Sequence, residues 1–321
     1  MAVFTQADHA DAAPWLRDNY GIELTGELEP ITEGIENSNY RFTAADGARY
    51  IFTVIEVWDE ELAGWCVRLA RHLHDRGEPV PRPLRNRLRD GPLGVFAAKP
   101  AVVVDFVDGA WLPAPDASQC GLAGGAIARL HRAAADFAPL LPNPRGAAWR
   151  RETAAELRPS LPAADQELLD AALARDEALQ ASGLPRGACH CDLFRNNFLW
   201  RDGAIAGVID FYFAGEDFLL FDLAVAAIDW TMDEDGAVDG PRLAALLAAY
   251  RAGRAPDAAE AAAFGDALVA GALRFWLSRL LDVARPRDAY ALQPHDPVVF
   301  RRRLARCLAD RERLAAALLN G

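Results

Sequence analysis

The chain carries the stretch HCDLFRNN at positions 190–197, followed by GVIDF at positions 207–211. Two hydrophobic runs lie between these stretches and flank the turn pair Asp202-Gly203, which predicts a β-hairpin. The hairpin returns Asp210 to the neighbourhood of Asn197. We therefore expect polar side chains that are distant in sequence to act as one site.

The side chains of this site suit the transfer of a phosphoryl group. Such chemistry requires accurate placement of the nucleotide and the acceptor hydroxyl, a base and metal ligands. Asp192 is the predicted base, and Asn197 and Asp210 are the predicted ligands of Mg²⁺. The structural alternative is that His190 and Asp192 cap a loop and that Asp210 is a buried acid. It is disfavoured because a carboxylate at the end of a hydrophobic strand is costly without a cation.

Composition restricts the class of protein. The chain has 321 residues, of which 52% are hydrophobic, and 34 basic against 46 acidic residues give a net charge of −12. A chain this acidic is a poor candidate for binding nucleic acid or an anionic membrane. No run of 18 apolar residues is present, so we expect a soluble, cytoplasmic protein. The five scattered cysteines favour neither a disulfide framework nor structural zinc.

Hydrophobic periodicity predicts an α+β fold. A small antiparallel-sheet lobe at 1–104 precedes a hinge at 105–109 and a large, mainly helical lobe at 110–321. The hinge backbone is predicted to meet an adenine edge, unless it is only a surface turn. Strands are predicted within 26–54 and as one apolar run at 94–104. Helices are predicted at 60–76, 117–135, 163–181, 222–230, 241–250, 258–282 and 297–319.

Several stretches beyond the two quoted ones carry a family resemblance. They are MAVFT at 1–5, EGIENSNY at 33–40, KPA at 99–101, DLA at 222–224, DW at 229–230 and LRFWLSRL at 273–280. With them, the chain resembles the aminoglycoside phosphotransferase/choline kinase superfamily, which has a bilobal protein-kinase-like fold. Within it, the chain is most similar to the homoserine kinase branch of bacteria, of the pseudomonad type.

The resemblance implies ATP-dependent phosphorylation of L-homoserine in threonine biosynthesis, with Mg²⁺. It implies the same roles for Asp192, Asn197 and Asp210. The partners are then the small molecules ATP and L-homoserine, with a monomer or a homodimer as the assembly. The residues expected at the nucleotide are Gly34, Asn37, Ser38, Asn39, Asp105 and Val107.

The sequence departs from kinase-like patterns at two places. Cys191 occupies the middle of the H-x-D motif, where Gly or Ala is usual. Its side chain is small enough to fit, so we expect activity, and oxidation of its thiol would block the site. The third strand lacks the usual phosphate-binding lysine, and Thr53 stands at its position. The helix partner of that lysine would be Glu60 or Glu61. The candidates for the missing charge are Arg41, Arg49 and Lys99.

The acceptor site is predicted from the chemistry of homoserine. A molecule with a carboxylate and an ammonium group requires an arginine and an acid. Arg279 is a possible carboxylate clamp, or else part of a structural ion pair, and Arg195 and Tyr212 are further candidates. Asp222 is predicted to support the catalytic loop or cap a helix. His131 is predicted to serve packing and helix capping.

Two other functions compete with this interpretation. The first is a related kinase for choline or ethanolamine, a sugar or an aminoglycoside. An aromatic cage around a quaternary ammonium would favour choline, for which Trp230, Phe275 and Trp276 are available. The second is a catalytically silent binding module. The presence of the base and both metal ligands disfavours it, and the missing lysine is its only support.

Overall fold

The protein divides into two compact units. The structure, a computed structural model, describes residues 4–31, 36–285 and 296–320. Within these ranges, the first unit comprises 4–109 and 206–212, and the second comprises the remainder. The segment that ends in Asp210 therefore belongs to the first unit. The division into a nucleotide lobe and a catalytic lobe stays a prediction.

The first unit is built on one sheet. All neighbouring strands are antiparallel, in the order β1-β2-β3-β5-β4, which confirms the predicted α+β class. Asp8 and Asp59 cap the starts of the two helices through hydrogen bonds from backbone N–H groups. The elements are α1 (His9–Tyr20), β1 (Leu24–Ile31), β2 (Ser38–Ala44), β3 (Arg49–Val54), α2 (Glu60–Asp75), β4 (Gly94–Phe96) and β5 (Lys99–Asp105).

The single strand predicted at 94–104 is wrong. The chain reverses there, and β4 pairs with β5 through Phe96 opposite Lys99. The turn residues Ala97 and Ala98 have φ angles of 48° and 61°. Alanine is rare in this left-handed region, so the sequence lacks the Gly or Asn that normally signals such a turn.

The two faces of the sheet have different partners. One face packs Phe52, Val54 and Ala101 against Leu16 of α1. The opposite face packs Ile55 and Val102 against α2. Since side chains alternate along a strand, Lys99 shares the α1 face with Ala101. Thr53 points to the other face.

The second unit is mainly helical. The central helices α6 and α8 pack against each other, and α6 is buried from Leu220 to Thr231. The last three residues of β8 belong to the first unit. The elements are α3 (Ala117–Ala133), α4 (Ala147–Leu157), α5 (Ala163–Gln180), β6 (Arg186–Cys189), β7 (Phe198–Arg201), β8 (Ala204–Val208), β9 (Gly215–Phe218), α6 (Leu219–Thr231), α7 (Gly240–Gly253), α8 (Ala258–Ala284), α9 (Pro297–Ala309) and α10 (Arg311–Asn320).

Two features of this unit differ from the prediction. The single helix predicted at 297–319 is wrong, because the helix is interrupted at Asp310 and forms α9 and α10 instead. The Asp310 side chain forms ion pairs with Arg306 of α9 and Arg313 of α10. The short pair β6 and β9 was not predicted, because four-residue strands show little periodicity. Among the described residues, no helix has both the length and the apolarity needed to cross a membrane.

Candidate active site

The loop that follows β6 is held by a buried carboxylate. Asp222, in the first turn of α6, accepts hydrogen bonds from the backbone N–H groups of His190 (2.9 Å) and Cys191 (2.7 Å). Cys191 needs this support, because its φ of 63° is unfavourable for a residue with a side chain. Of the two roles predicted for Asp222, the structure shows support of the loop. Asp222 does not cap α6, because the N-cap residue of this helix is Phe218.

His131 completes the support from α3. Its Nε2 lies 3.1 Å from Asp222 Oδ2, and its Nδ1 lies 2.9 Å from the Tyr250 hydroxyl. Burial acts to raise the pKa of Asp222, but the hydrogen bond and charge of His131, together with the charge and N–H of His190, hold that pKa below its ordinary value. The role of His131 is thus structural. Cys189 lies beside this pair, but both nitrogens of His131 are engaged within the protein, which disfavours a metal ion there.

The thiol of Cys191 is shielded from solvent. Its side chain is buried, and its Sγ lies 3.8 Å from the carbonyl oxygen of Gly215. Burial raises the pKa of the Cys191 thiol well above its ordinary value. Since the thiolate is the reactive form, the structure does not favour the expected sensitivity to oxidation.

Asp192 and Asn197 are brought together by the tight turn of this loop. The Asn197 amide nitrogen donates to the Asp192 carbonyl oxygen (2.7 Å) and lies 3.2 Å from Asp192 Oδ2. Asp192 in turn donates its N–H to His190 Nδ1 at 3.3 Å. Because the amide nitrogen is fixed on Asp192, the oxygen of Asn197 points away from it. Such an oxygen is the type of ligand that Mg²⁺ prefers.

A buried arginine lies on the other side of the Asp192 carboxylate. Arg274 Nη2, from α8, is 3.6 Å from Asp192 Oδ1. The guanidinium carbon lies 3.8 Å from the centre of the Phe275 ring and 5.2 Å from that of Phe213. Asp192 therefore has an amide on one oxygen and a positive charge near the other.

The rest of the loop is attached to α6. Asp229 accepts the backbone N–H of Arg195 at 2.9 Å and lies 3.4 Å from its Nε. The Arg195 guanidinium also donates to the Pro113 carbonyl oxygen at 3.1 Å. Trp230 donates its indole N–H to the Leu193 carbonyl oxygen at 3.0 Å. These contacts position the loop, and they leave Trp230 buried rather than available for an aromatic cage.

Asp210 lies in the first unit, within a segment that is attached there at several points. Its φ of 66° lies in the left-handed region, as does that of Cys191. Val208 donates its N–H to the Pro79 carbonyl oxygen (2.6 Å), and a Cβ at Gly207 would lie 2.9 Å from Val107. Unfavourable backbone conformations concentrate at functional sites, which is consistent with the predicted metal role of Asp210.

Tyr212 packs among the residues between the sheet and α2. Burial raises the pKa of its hydroxyl, and a hydrogen bond with Thr53 partly opposes this. Thr53 in turn donates to Asn39 Oδ1 at 2.7 Å. Tyr212, predicted at the acceptor, thus contacts the strand position where other kinases carry lysine.

The start of β2 is held by Glu56. Asn37 accepts the N–H of Glu56 at 3.1 Å, and the Ser38 hydroxyl donates to Glu56 Oε1 at 2.5 Å. Ser38 also accepts the N–H of Thr5 at 3.0 Å. Lys99 forms an ion pair with Glu56 and donates to the Thr5 hydroxyl. The Ser38 hydroxyl, predicted at the phosphates, is thus engaged with the N-terminal segment, and Gly34 lies outside the described residues.

The other candidate cations have their own partners. Arg41 forms an ion pair with Glu29, and Arg49 lies 3.6 Å from Asp108 Oδ2. Glu60, one of the two candidate helix partners, pairs with Arg89. Lys99 does not replace the strand lysine directly, because it lies on the face of the sheet opposite Thr53.

The predicted hinge residues are described within the first unit. Asp105 forms an ion pair with Arg82, with Nε to Oδ2 at 2.9 Å, and donates its N–H to the Arg82 carbonyl oxygen at 3.1 Å. Val107 packs against Gly207. These contacts fix the segment that is predicted to meet adenine.

Comparison with known proteins identifies the family. The sequence pattern of the phosphotransferase enzyme family matches residues 27–256. This chain belongs to the phosphotransferase enzyme family. A homoserine kinase of Cupriavidus pinatubonensis is 43% identical over 96% of this chain and 97% of its own length. A homoserine kinase of Paraburkholderia phymatum is 43% identical over 99% of this chain and 100% of its own length.

Solved structures of other kinases share the fold of this phosphotransferase. Amicoumacin kinase hAmiN, in complex with AMP-PNP, Ca²⁺ and Ami, superposes with a TM-score of 0.67 at 18% identity, over 96% of this chain and 94% of its own. A choline/ethanolamine kinase family protein from Mesorhizobium loti superposes with a TM-score of 0.65 at 24% identity, over 93% of this chain and 94% of its own. The predicted kinase-like fold is therefore confirmed.

Sequence reasoning missed two residues of this phosphotransferase that the structure makes prominent. Arg274 lies within the stretch LRFWLSRL at 273–280, but the sequence analysis predicts no contact between it and Asp192. Glu56 was not singled out, although it is the first acid after β3, which ends two residues earlier at Val54. Neither signal is specific without the fold, because both contacts join residues more than 40 positions apart.

Proposed function

We propose that this protein is a homoserine kinase, which transfers the γ-phosphoryl group of ATP to the side-chain hydroxyl of L-homoserine. The product is O-phospho-L-homoserine, and the step belongs to threonine biosynthesis. The full-length similarity to homoserine kinases supports this substrate. The structural observation that carries the proposal is the Asp192 carboxylate, held on a fixed loop between Asn197 and Arg274.

Asp192 acts as the base in this proposal. It accepts the proton of the acceptor hydroxyl while that oxygen attacks the γ-phosphorus, and it returns the proton to solvent after the product leaves. The backbone conformation at Cys191 directs the carboxylate, and Asp222 keeps that conformation. Because the carboxylate is oriented before the acceptor binds, little reorganisation is needed at the moment of transfer.

Asn197 and Asp210 would hold Mg²⁺, which neutralises negative charge on the nucleotide phosphates when it is bound. Their oxygen donors fit a hard divalent cation. The loop from Gly34 to Asn39 covers the phosphates in this proposal, mainly through backbone N–H groups, since the Ser38 hydroxyl is engaged elsewhere. Asp105 and Val107 provide the backbone that meets adenine. The monomeric or dimeric state stays a prediction.

The test is ADP release by the purified protein with Mg-ATP and a series of acceptors: L-homoserine, D-homoserine, L-serine, choline, ethanolamine and kanamycin. We expect turnover with L-homoserine and little with the others. Turnover with another acceptor and none with L-homoserine would keep the phosphotransferase chemistry and overturn the substrate. If none of these acceptors supports ADP release, at protein concentrations where a homoserine kinase is active, the proposal as a whole is contradicted.

A further inference from the structure

We infer that Tyr250 is a positioning residue for the catalytic loop: its hydroxyl occupies Nδ1 of His131, which keeps this histidine neutral and directs its Nε2–H at Asp222. The inference rests on the proposed function, because it concerns the loop that carries the proposed base Asp192. The role of Tyr250 is indirect, since it acts on that base through His131, Asp222 and the backbone of the loop.

The contacts of Tyr250 form part of a chain that leads to the loop. Arg254 Nη1 lies 3.3 Å from the Tyr250 hydroxyl, which is 2.9 Å from His131 Nδ1. His131 Nε2 lies 3.1 Å from Asp222 Oδ2. The same carboxylate accepts the two backbone N–H groups that hold the loop. One path of polar contacts therefore joins α7, α3 and α6 to the catalytic loop.

The chain begins where α7 ends and α8 starts. Arg254 directly follows α7, and its Nη1 forms an ion pair at 2.8 Å with Glu260 Oε1. Glu260 also accepts the N–H of Asp257 at 3.1 Å, which caps α8. The predicted acceptor residue Arg279 lies about 28 Å further along α8. Its Nη1 is 3.5 Å from Asp282 Oδ2, and its role at the acceptor stays a prediction.

The donors of this chain have one consistent order. A guanidinium only donates, so Arg254 occupies a lone pair of the Tyr250 oxygen. The Tyr250 O–H then has the lone pair of His131 Nδ1 as its acceptor. A neutral imidazole with a bare Nδ1 carries its proton on Nε2, where the Asp222 carboxylate accepts it. Every hydrogen bond of the chain is thus donated towards Asp222.

Burial makes other arrangements of the protons costly. Tyr250, His131 and Asp222 are all buried. Burial raises the pKa of the Tyr250 hydroxyl, which Arg254 partly opposes, so the hydroxyl keeps its proton and donates. A protonated Nδ1 would take the acceptor away from that O–H, and a bare Nε2 would set its lone pair against the carboxylate. Both are disfavoured, because an unpaired polar group in buried surroundings costs free energy.

The backbones of α3 and α7 fix the distance between the two rings. A Cβ at Gly124 of α3 would lie 2.1 Å from the Leu246 carbonyl oxygen of α7. A Cβ at Gly253 of α7 would lie 2.6 Å from a side chain of α3. The rings of His131 and Tyr250 meet nearly at a right angle, with centroids 5.7 Å apart. The close approach of the helices therefore keeps the hydroxyl on Nδ1.

A buried tyrosine of the first unit offers a matched comparison. Tyr20 of α1 is buried and donates its hydroxyl to the Pro92 carbonyl oxygen at 2.7 Å. Tyr20→Phe and Tyr250→Phe each remove one hydroxyl from a buried ring. If Tyr250 served stability alone, the two variants would have equivalent effects on turnover.

The first experiment compares the two variants in turnover of L-homoserine. Tyr250→Phe leaves Nδ1 without its donor, so the ring turns or takes up a second proton, and its hydrogen bond to Asp222 is disturbed. We expect kcat to fall about tenfold and the KM values for ATP and L-homoserine to stay within about twofold. Tyr20→Phe is expected to keep the wild-type kcat. Equal kcat values in the two variants would overturn the inference.

A double-mutant cycle tests the route through His131. In a protein that already carries His131→Gln, the Tyr250 hydroxyl has lost the nitrogen on which it acts. Tyr250→Phe should then lower kcat by less than about twofold, because the two changes remove the same interaction. A further tenfold loss in the double variant would show that Tyr250 acts by another route and would refute the inference.

Nitrogen NMR of the histidine rings reports the proton positions without depending on turnover. The signals of His131 are identified by their loss in His131→Gln. We expect a bare Nδ1 and a protonated Nε2 in the wild-type protein, and a changed Nδ1 signal in Tyr250→Phe. A protonated Nδ1 in the wild-type protein, or an unchanged Nδ1 signal in the variant, would contradict the inference. Failure of the proposed function is distinguishable, because the wild-type protein would then not phosphorylate L-homoserine whatever the state of His131.

Discussion

A carboxylate holds a predicted site loop in each unit, and the surroundings of these two carboxylates, Asp222 and Glu56, differ. Asp222 in the second unit is buried and binds two backbone N–H groups and His131. Glu56 in the first unit binds Thr5, Ser38 and Lys99. The side chain of Lys99 is 40% exposed, so this second network is reached by solvent. The difference indicates that the loop at 190–192 is held by a carboxylate shielded from solvent, whereas water can replace the contact of Lys99 with Glu56 in the network at the start of β2.

The largest effect is expected from Asp222→Ala. This change removes the acceptor of the buried N–H groups of His190 and Cys191 and one of the two partners of His131. We expect the free energy of unfolding to fall by about 4 kcal/mol, as for other broken buried networks. Chemical denaturation measures it. Asp266→Ala is the control, because Asp266 pairs with a partly exposed Arg311 and should cost less than about 1 kcal/mol.

The contribution of Asp222 should also depend on pH. Its folded-state pKa is lowered below the ordinary value of 3.8. The stability that the ionised carboxylate contributes is therefore complete above the unfolded-state pKa, and it is lost as the pH falls through the folded-state pKa. The difference between wild type and Asp222→Ala should be constant above about pH 5 and shrink below pH 4. A difference that grows on acidification would contradict this assignment.

A smaller effect is expected from Glu56→Gln. The amide keeps an acceptor for Ser38 and Thr5 but loses the charge opposite Lys99. We expect the KM for ATP to rise about fivefold, equivalent to about 1 kcal/mol, with kcat changed less than twofold. Glu29→Gln is the control in the same sheet, since Glu29 pairs only with the exposed Arg41 among the contacts above. If Glu56→Gln and Glu29→Gln have the same KM for ATP, Glu56 does not contribute to ATP binding and this prediction is contradicted.

The smallest effect concerns Cys191. Both Cys191→Gly and Cys191→Ala remove the thiol, but only glycine adopts a φ of 63° without steric cost. After allowing for the greater flexibility of unfolded glycine, we expect the Gly variant to be about 0.5–1 kcal/mol more stable than the Ala variant. Thermal unfolding of the two proteins, side by side, measures this difference. A less stable Gly variant would show that the backbone conformation relaxes when the side chain changes.

The long elements were predictable from the sequence, and the short or unusual ones were not. Helix α2 and strands β2 and β3 show clear periodicity and turn signals. The β4–β5 hairpin was missed because Ala97 and Ala98 form its turn without any residue that favours one. The break at Asp310 was missed because neither glycine nor proline marks it.

The candidate site was predictable where it is local in sequence. Asp192 and Asn197 are five positions apart, and their contact follows from one tight turn. The supports Asp222, Glu56 and Arg274 act through long-range packing, which a single sequence does not encode as a pattern. For the same reason, Lys99 could not be placed on a face of the sheet before the β4–β5 turn was known.

The most direct test of the account is Asp192→Asn, with kcat measured for L-homoserine and ATP binding measured by isothermal titration. Asparagine has nearly the same shape but accepts no proton, so only the transfer step should suffer. We predict that kcat falls roughly 1,000-fold. The Kd for Mg-ATP should stay within about twofold, because the proposed metal ligands are Asn197 and Asp210 rather than Asp192. A kcat within tenfold of wild type would show that Asp192 is not the base and would contradict the central claim.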